Sequence, residues 1–237
     1  PADVHLIAKD ILWFHAVIWP AMLLALKREL PRQVYAHSFW ISEGQKMSKS
    51  LGNFIDLEKL DRHVTMYGLD AFRYFLASNG PLGINDSDFS EARFVEVYNS
   101  ALADKMGTLV NRTLSMIHRY RDGSVPRAGE SQLRGEAEKM VAVYRDRMEQ
   151  LDLGGALEAL WAFVTRANQF VEESAPWKLA KDSTQTSRLD VVLYDLAESV
   201  RLISVLVAPV MPTISAQMRA QLGVDGKLGL LPEDVAR

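Results

Sequence analysis

The 237-residue sequence contains no cysteine, which excludes disulfides and thiolate metal sites, and its five histidines are too scattered to form a metal cage. It also lacks an apolar run long enough to cross a bilayer. The longest near the start, 11–26, is interrupted by His15 and Pro20 and has neither a basic leader nor a cleavage site, so it reads as a buried helix. Excess charge is small, at −3 net, which argues against a surface coated with basic residues for unspecific nucleic-acid binding. Any nucleic-acid contact must then be local and partly structure-specific. Internal repeats and low-complexity tracts are missing too. We expect a cytoplasmic protein without a membrane segment.

What is present is ordinary globular composition, 48% hydrophobic and 24% charged, enough for a sizeable core in one or two compact units. Residues 4–8 read as a strand, a helical pattern follows to about 26–29 before Pro31, and residues 33–41 read as a second strand. Strand, helix and strand in this order suggest the last crossover of a parallel sheet. With too few strands to close a sheet, this piece is expected to be the remainder of a larger α/β domain. From Asp56 onward strand signals nearly vanish. Helices are predicted at about 57–66, 69–78, 90–121, 131–150, 154–173, 176–181, 188–207 and 212–222. Apolar stripes at Phe94, Val97, Leu102, Met106, Leu109, at Leu157, Leu160, Trp161, Val164 and at Leu189, Val192, Leu193, Leu196 make an antiparallel bundle the economical packing.

The most specific motif is Lys46-Met47-Ser48-Lys49-Ser50, set between Gly44 and Gly52. Five prescribed residues arise by chance in about one chain of this length in ten thousand. Two ammonium groups on a glycine-flanked, mobile loop can close on a polyphosphate and neutralise charge developing on its oxygens. On the pentapeptide alone a solvated basic turn stays open as the alternative.

The pentapeptide resembles the second signature of class I aminoacyl-tRNA synthetases. Ala2 to Asp10, with Phe14-His15 and Trp19-Pro20-Ala21-Met22-Leu23, resembles the methionyl-tRNA synthetases in particular, and the likeness runs over essentially the whole chain. The resemblance implies that ATP, with Mg2+ in the intact enzyme, and methionine form methionyl adenylate before transfer to tRNA(Met). It implies that Lys49 and Lys46 contact ATP and are catalytic, and that Asp10 accepts hydrogen bonds from the ribose. From the residues alone, Asp10 equally reads as a helix cap. Ile11, His15 and Trp19 fall four apart on one helical face and match positions lining the methionine pocket. Their spacing alone favours core packing for Ile11 and Trp19. Ala8 stands where the family usually has glycine. The family's first signature, of His-x-Gly-His type, is nowhere in the sequence, so this chain is expected to be inactive in adenylation alone.

A second constellation, Lys105 to Arg112 with Ala175-Pro176-Trp177-Lys178, resembles the family's anticodon-binding face. An unpaired base can stack on an indole and be hydrogen-bonded by a guanidinium, roles the resemblance gives to Trp177 and Arg112. The plain alternatives are an exposed helix charge for Arg112 and a hydrophobic plug for Trp177. Thr108 stands where the family commonly has asparagine, and it offers one hydroxyl instead of an amide. His118, Arg119, Arg121, Arg127, Lys178 and Lys181 supply charge that can meet phosphates.

The expected fold is therefore mainly α: a helical-bundle anticodon-binding domain preceded by the C-terminal remainder of a Rossmann-type α/β catalytic domain. The expected division is 1–50 catalytic, 51–90 a tRNA stem-contact segment, and 91–237 anticodon-binding. No metal site is expected. A free-standing tRNA-binding module is the alternative, excluded if an upstream reading frame carries the first signature. Leucine, isoleucine, valine and cysteine enzymes share the loop, but the Phe14-His15 and Trp19 to Met22 match favours methionine.

Overall fold

The structure, a computed structural model, describes residues 2–42, 44–127 and 130–224. Helix dominates and the sheets are small. Two compact units emerge, Pro1–Asp61 with Asn79–Phe94, and Arg62–Ser78 with Val95–Arg237.

In the first unit, β1 (Val4–Ala8) and β2 (Gln33–His37) pair in parallel, from Val4 opposite Gln33 to Ala8 opposite His37. The crossover between them is helical but irregular: a 3-10 turn at Lys9–Ile11, a π-helical stretch at Phe14–Ile18 and α1 (Trp19–Ala25). Pro20 brings no N–H to the ladder, and the wider i→i+5 spacing lies immediately ahead of it. The expectation that 11–26 forms a buried helix does not hold. Only His15, Trp19, Pro20 and Leu23 are half-buried, while Trp13, at 63% exposure, and Phe14, Val17, Met22, Leu24 and Leu26 face outward. Two paired strands present too little surface to cover more than one side of the segment.

The strand expected over 33–41 is two strands in two sheets. β3 (Trp40–Ser42) pairs antiparallel with β4 (Gln45–Lys46) and parallel with β5 (Ser87–Phe89). The switch occurs at Ser38 and Phe39, whose amides donate to Pro81 O (2.9 Å) and to Asp86 Oδ1 (2.9 Å). Lys9 Nζ also reaches Asp86 Oδ1, at 2.5 Å, and these two donors hold the Asp86 carboxyl below its usual range. β5 was not anticipated, because three residues, Ser-Asp-Phe, carry no alternation to read.

In the second unit, α5 (Thr108–Arg121), α6 (Arg134–Glu149), α7 (Leu153–Ser174), α9 (Thr186–Val207) and α10 (Pro212–Gln221) form the bundle. The central helix is α9: Leu189, Val192, Leu193, Leu196, Val200 and Ile203 are buried, and so are Asp195, Ser199 and Ser204. A helix buried on most sides sits inside its neighbours. Truncating one of its fully covered leucines to alanine costs about 2–5 kcal/mol by transfer and cavity terms.

The helix expected over 90–121 has the right span but is not uniform. It runs as α4 (Glu91–Val97), a π-helical stretch at Tyr98–Gly107, and α5. Side chains of α7 take carbonyls of that stretch: Trp161 Nε1 donates to Ala101 O and Asn168 Nδ2 to Lys105 O, both at 3.1 Å. A Cβ at Gly107 would lie 3.1 Å from Leu102 O, so glycine suits the close approach.

The remaining helices are α2 (Leu57–Tyr67), α3 (Leu69–Asn79) and the short α8 (Pro176–Leu179). Within the second unit, α3 grips the turn between α9 and α10. Asp70 Oδ2 accepts from Ile214 N at 2.7 Å, and Arg73 donates to Val210 O (2.7 Å) and Pro209 O (2.9 Å). The carboxylate thereby satisfies an amide of the first turn of α10, and the guanidinium satisfies carbonyls just past α9.

Candidate functional site

Lys46 ends β4 and Lys49 lies in the turn beyond it, both side chains exposed. Gly44 and Gly52 bracket the segment at φ of 72° and 69°, a region closed to most side chains, which explains glycine at both bends. Within the bracket the segment is tied down. Asn53 Oδ1 accepts from Ser48 N (2.8 Å), and its Nδ2 donates to Lys46 O (3.2 Å) and more distantly to Ser42 O (3.5 Å). Ser48 Oγ and Ser50 Oγ are 2.7 Å apart, and Lys59 Nζ donates to Phe54 O (3.0 Å) and Gly52 O (3.4 Å). The Lys49 ammonium stands 5.9 Å from the Phe54 ring centroid, at the edge of an open cleft of about 730 Å³ lined also by Ile55, Leu57 and Glu58. The arrangement leaves two cations facing solvent on a short, hydrogen-bonded turn.

Asp10 lies in the 3-10 turn with an exposed side chain, and the capping alternative fails, since the cap position is Ala8 and no side chain caps the turn. The structure brings Ile11, His15 and Trp19 together: His15 Nδ1 is 3.0 Å from Ile11 O, and its ring meets the Trp19 indole edge-on at 6.2 Å. His5 of β1 also packs against that indole, at 5.0 Å, a neighbour the helical spacing could not reveal. Trp19 thus meets two imidazoles while only half-buried.

Arg112 on α5 and Trp177 on α8 also converge. The guanidinium carbon is 5.9 Å from the indole centroid, and both side chains are half-buried. Glu172 near the end of α7 completes the cluster, with Oε1 2.7 Å from Arg112 Nη1. Between α7 and α8 the chain turns at Ala175, in the left-handed region at φ 44°. This turn, closed by Lys178 N donating to Ala175 O at 2.7 Å, sets where Trp177 projects. Thr108 is exposed one helical turn before Arg112. Arg121, offered above as a phosphate contact, is committed elsewhere: it pairs with Asp190 (2.5 Å) and donates to Tyr120 O and Thr186 O.

Sequence reasoning missed Asn53, Lys59 and Glu172. The first two follow the lysine segment closely, and an amide directly after a glycine is a turn signal. Nothing in the sequence pairs Glu172 with Arg112, because that pairing exists only once α5 and α7 pack.

Two family models divide the chain between them: tRNA synthetases class I (M) over residues 2–114, and the anticodon binding domain of methionyl tRNA ligase over 121–237. The chain belongs to the methionyl-tRNA synthetase family. The methionine–tRNA ligase of Caldanaerobacter subterraneus is 42% identical over 246 residues, which take in 98% of this chain and 38% of the relative. That of Bacillus subtilis is 41% identical over 230 residues, covering 94% of this chain and 34% of the relative. The solved Mycobacterium tuberculosis methionyl-tRNA synthetase in complex with methionyl-adenylate superposes with a TM-score of 0.83 at 37% identity, covering 92% of this chain and 43% of that one. The chain thus spans between a third and a half of the length of these methionyl-tRNA synthetases.

Proposed function

We propose that this chain is part of a methionine–tRNA ligase, in which it reads the anticodon of tRNA(Met) with the bundle and brings Lys46 and Lys49 to the ATP phosphates. The observation that carries the reading is the meeting of Arg112 and Trp177, 65 positions apart, on one half-exposed patch. An indole presents a face for a base to stack on, and a neighbouring guanidinium supplies paired donors for a base edge. Residues 1–50 are then the end of a Rossmann-type catalytic domain, 51–90 the stem-contact segment, and 91–237 the anticodon-binding domain. The parallel β1–β2 pair with its helical crossover agrees with this, and so does the apolar surface of Trp13, Phe14, Val17 and Met22, which is of a kind that further protein covers.

Asp10 faces the ribose, and Ile11, His15 and Trp19 form one wall of the methionine pocket, where a thioether fits an aromatic edge. Mg2+ accompanies the nucleotide phosphates, the usual mode for this small cation. Among the described residues no helix is long and apolar enough to cross a membrane. As a ligase serving protein synthesis, the intact enzyme works in the cytoplasm. Adenylation needs the missing first signature, so the 237-residue chain binds tRNA without catalysing ATP–pyrophosphate exchange. The test is filter binding of the chain to tRNA(Met) and to a matched tRNA differing only in its anticodon. Preference for the methionine anticodon supports the reading, and equal binding overturns it.

A further inference from the structure

We propose that Asn53 is a positioning residue for the two lysines, a latch that fixes the shape of the segment carrying them. The proposal rests on the reading of Lys46 and Lys49 as phosphate contacts. One side-chain amide spans the segment: its oxygen accepts a hydrogen bond from Ser48 N at 2.8 Å, and its nitrogen donates one to Lys46 O at 3.2 Å. Those two backbone groups lie between Lys46 and Lys49, so the amide fixes the backbone that separates the two ammonium groups. A third reach, to Ser42 O at 3.5 Å, points the same amide at the buried end of β3.

Few side chains can do this. The bridging needs an acceptor and a donor on one short planar group, which asparagine has and serine or aspartate lacks. It stands immediately after Gly52, whose φ of 69° turns the chain back so that residue 53 faces the segment it closes. Asn53 itself is half-buried and therefore holds its bonds against competition from water better than an exposed amide does. Lys59 acts downstream, on Phe54 O and Gly52 O, and keeps Asn53 itself in place. The lysines remain free to meet a ligand, since the latch uses backbone groups of the segment and leaves both ammonium groups out of its bonds. Electrostatic catalysis depends on charges already placed where negative charge develops, so loosening this backbone lowers rate without touching the methionine pocket.

The test is a double-mutant cycle in the full-length ligase that carries this chain, with Asn53→Ala, Lys49→Ala and the double variant assayed by ATP–pyrophosphate exchange. Asn53→Ala alone is expected to lower the exchange rate constant about tenfold with the methionine KM unchanged. On the Lys49→Ala background the same substitution is expected to cost clearly less than tenfold, because only Lys46 is then left for the latch to position. A full tenfold loss on both backgrounds would make Asn53 an independent structural support and overturn the proposal. If Lys49→Ala itself leaves the rate unchanged, the reading beneath falls, and the proposal with it. Hydrogen exchange supplies a readout apart from activity: the Ser48 amide should exchange faster in Asn53→Ala, while amides of α9 keep their protection. Unaltered exchange at Ser48 overturns the latch whatever the kinetics show.

Discussion

The Arg112 guanidinium lies 5.9 Å from the centre of the Trp177 indole while its Nη1 pairs with Glu172 at 2.7 Å, so one cation is held by a ring and a carboxylate together. Arg112 and Trp177 are both half-buried, so neither belongs to the fully covered core. Trp177→Ala is expected to weaken tRNA binding by about 1–3 kcal/mol through lost stacking. Arg112→Ala should also relax discrimination between anticodons. Thermal melts alongside binding decide the matter: large stability losses with unchanged anticodon preference would make these residues part of the fold and withdraw the anticodon assignment.

For the lysine segment, Lys49→Ala in the full-length ligase should lower the adenylation rate by about 10²-fold or more, the usual cost of removing one preorganised contact to developing charge. Methionine affinity should barely change. A loss confined to methionine affinity would assign Lys49 a structural role instead.

Asp70 offers a test of stability alone. Its carboxylate caps the first turn of α10 through Ile214 N, so Asp70→Ala leaves that amide unpaired inside the second unit. The expected cost is about 0.5–2 kcal/mol, read as a lower urea midpoint with an unchanged slope. A variant as stable as the parent would show that water replaces the cap without loss.

Asp195 gives a pH dependence with a definite sign. It sits on the central helix, 1% exposed, with Oδ2 accepting from Gln132 N at 2.8 Å and with Ser131, the Leu133 amide and Arg134 also facing the carboxyl. Burial raises its pKa above the ordinary 3.8, so the folded state holds the proton more tightly than the unfolded chain does. Stability from this group is complete below 3.8 and is lost as pH rises through the raised value. Asp195→Asn keeps an acceptor for Gln132 and removes the charge. Its stability relative to the parent should therefore climb across that window in urea titrations at stepped pH, and a difference independent of pH would contradict the burial argument.

The bundle was legible because stripes such as Leu157, Leu160, Trp161 and Val164 repeat at helical spacing, and each of these four side chains is buried. The first unit was harder to read. The break at Ser38 and Phe39 depends on Pro81 and Asp86, more than forty residues away, and no local pattern announces such partners. The apolar run at 11–26 misled for a related reason: composition states that a surface wants cover, but not whether this chain supplies it. At the sites, spacing grouped Ile11, His15 and Trp19, whereas His5 and Glu172 entered only through packing.

The π-helical stretch at Tyr98–Gly107 makes the length of that segment part of the site's geometry. Each residue added to or removed from a helix turns everything downstream by about 100°. The wide turns absorb surplus chain ahead of Thr108, and the bonds from Trp161 and Asn168 lock that accommodation at Ala101 and Lys105. A one-residue deletion within the stretch only returns it toward regular helix, whereas a deletion in α5 between Thr108 and Arg112, where no surplus is stored, would swing Arg112 away from Trp177 while leaving both residues intact.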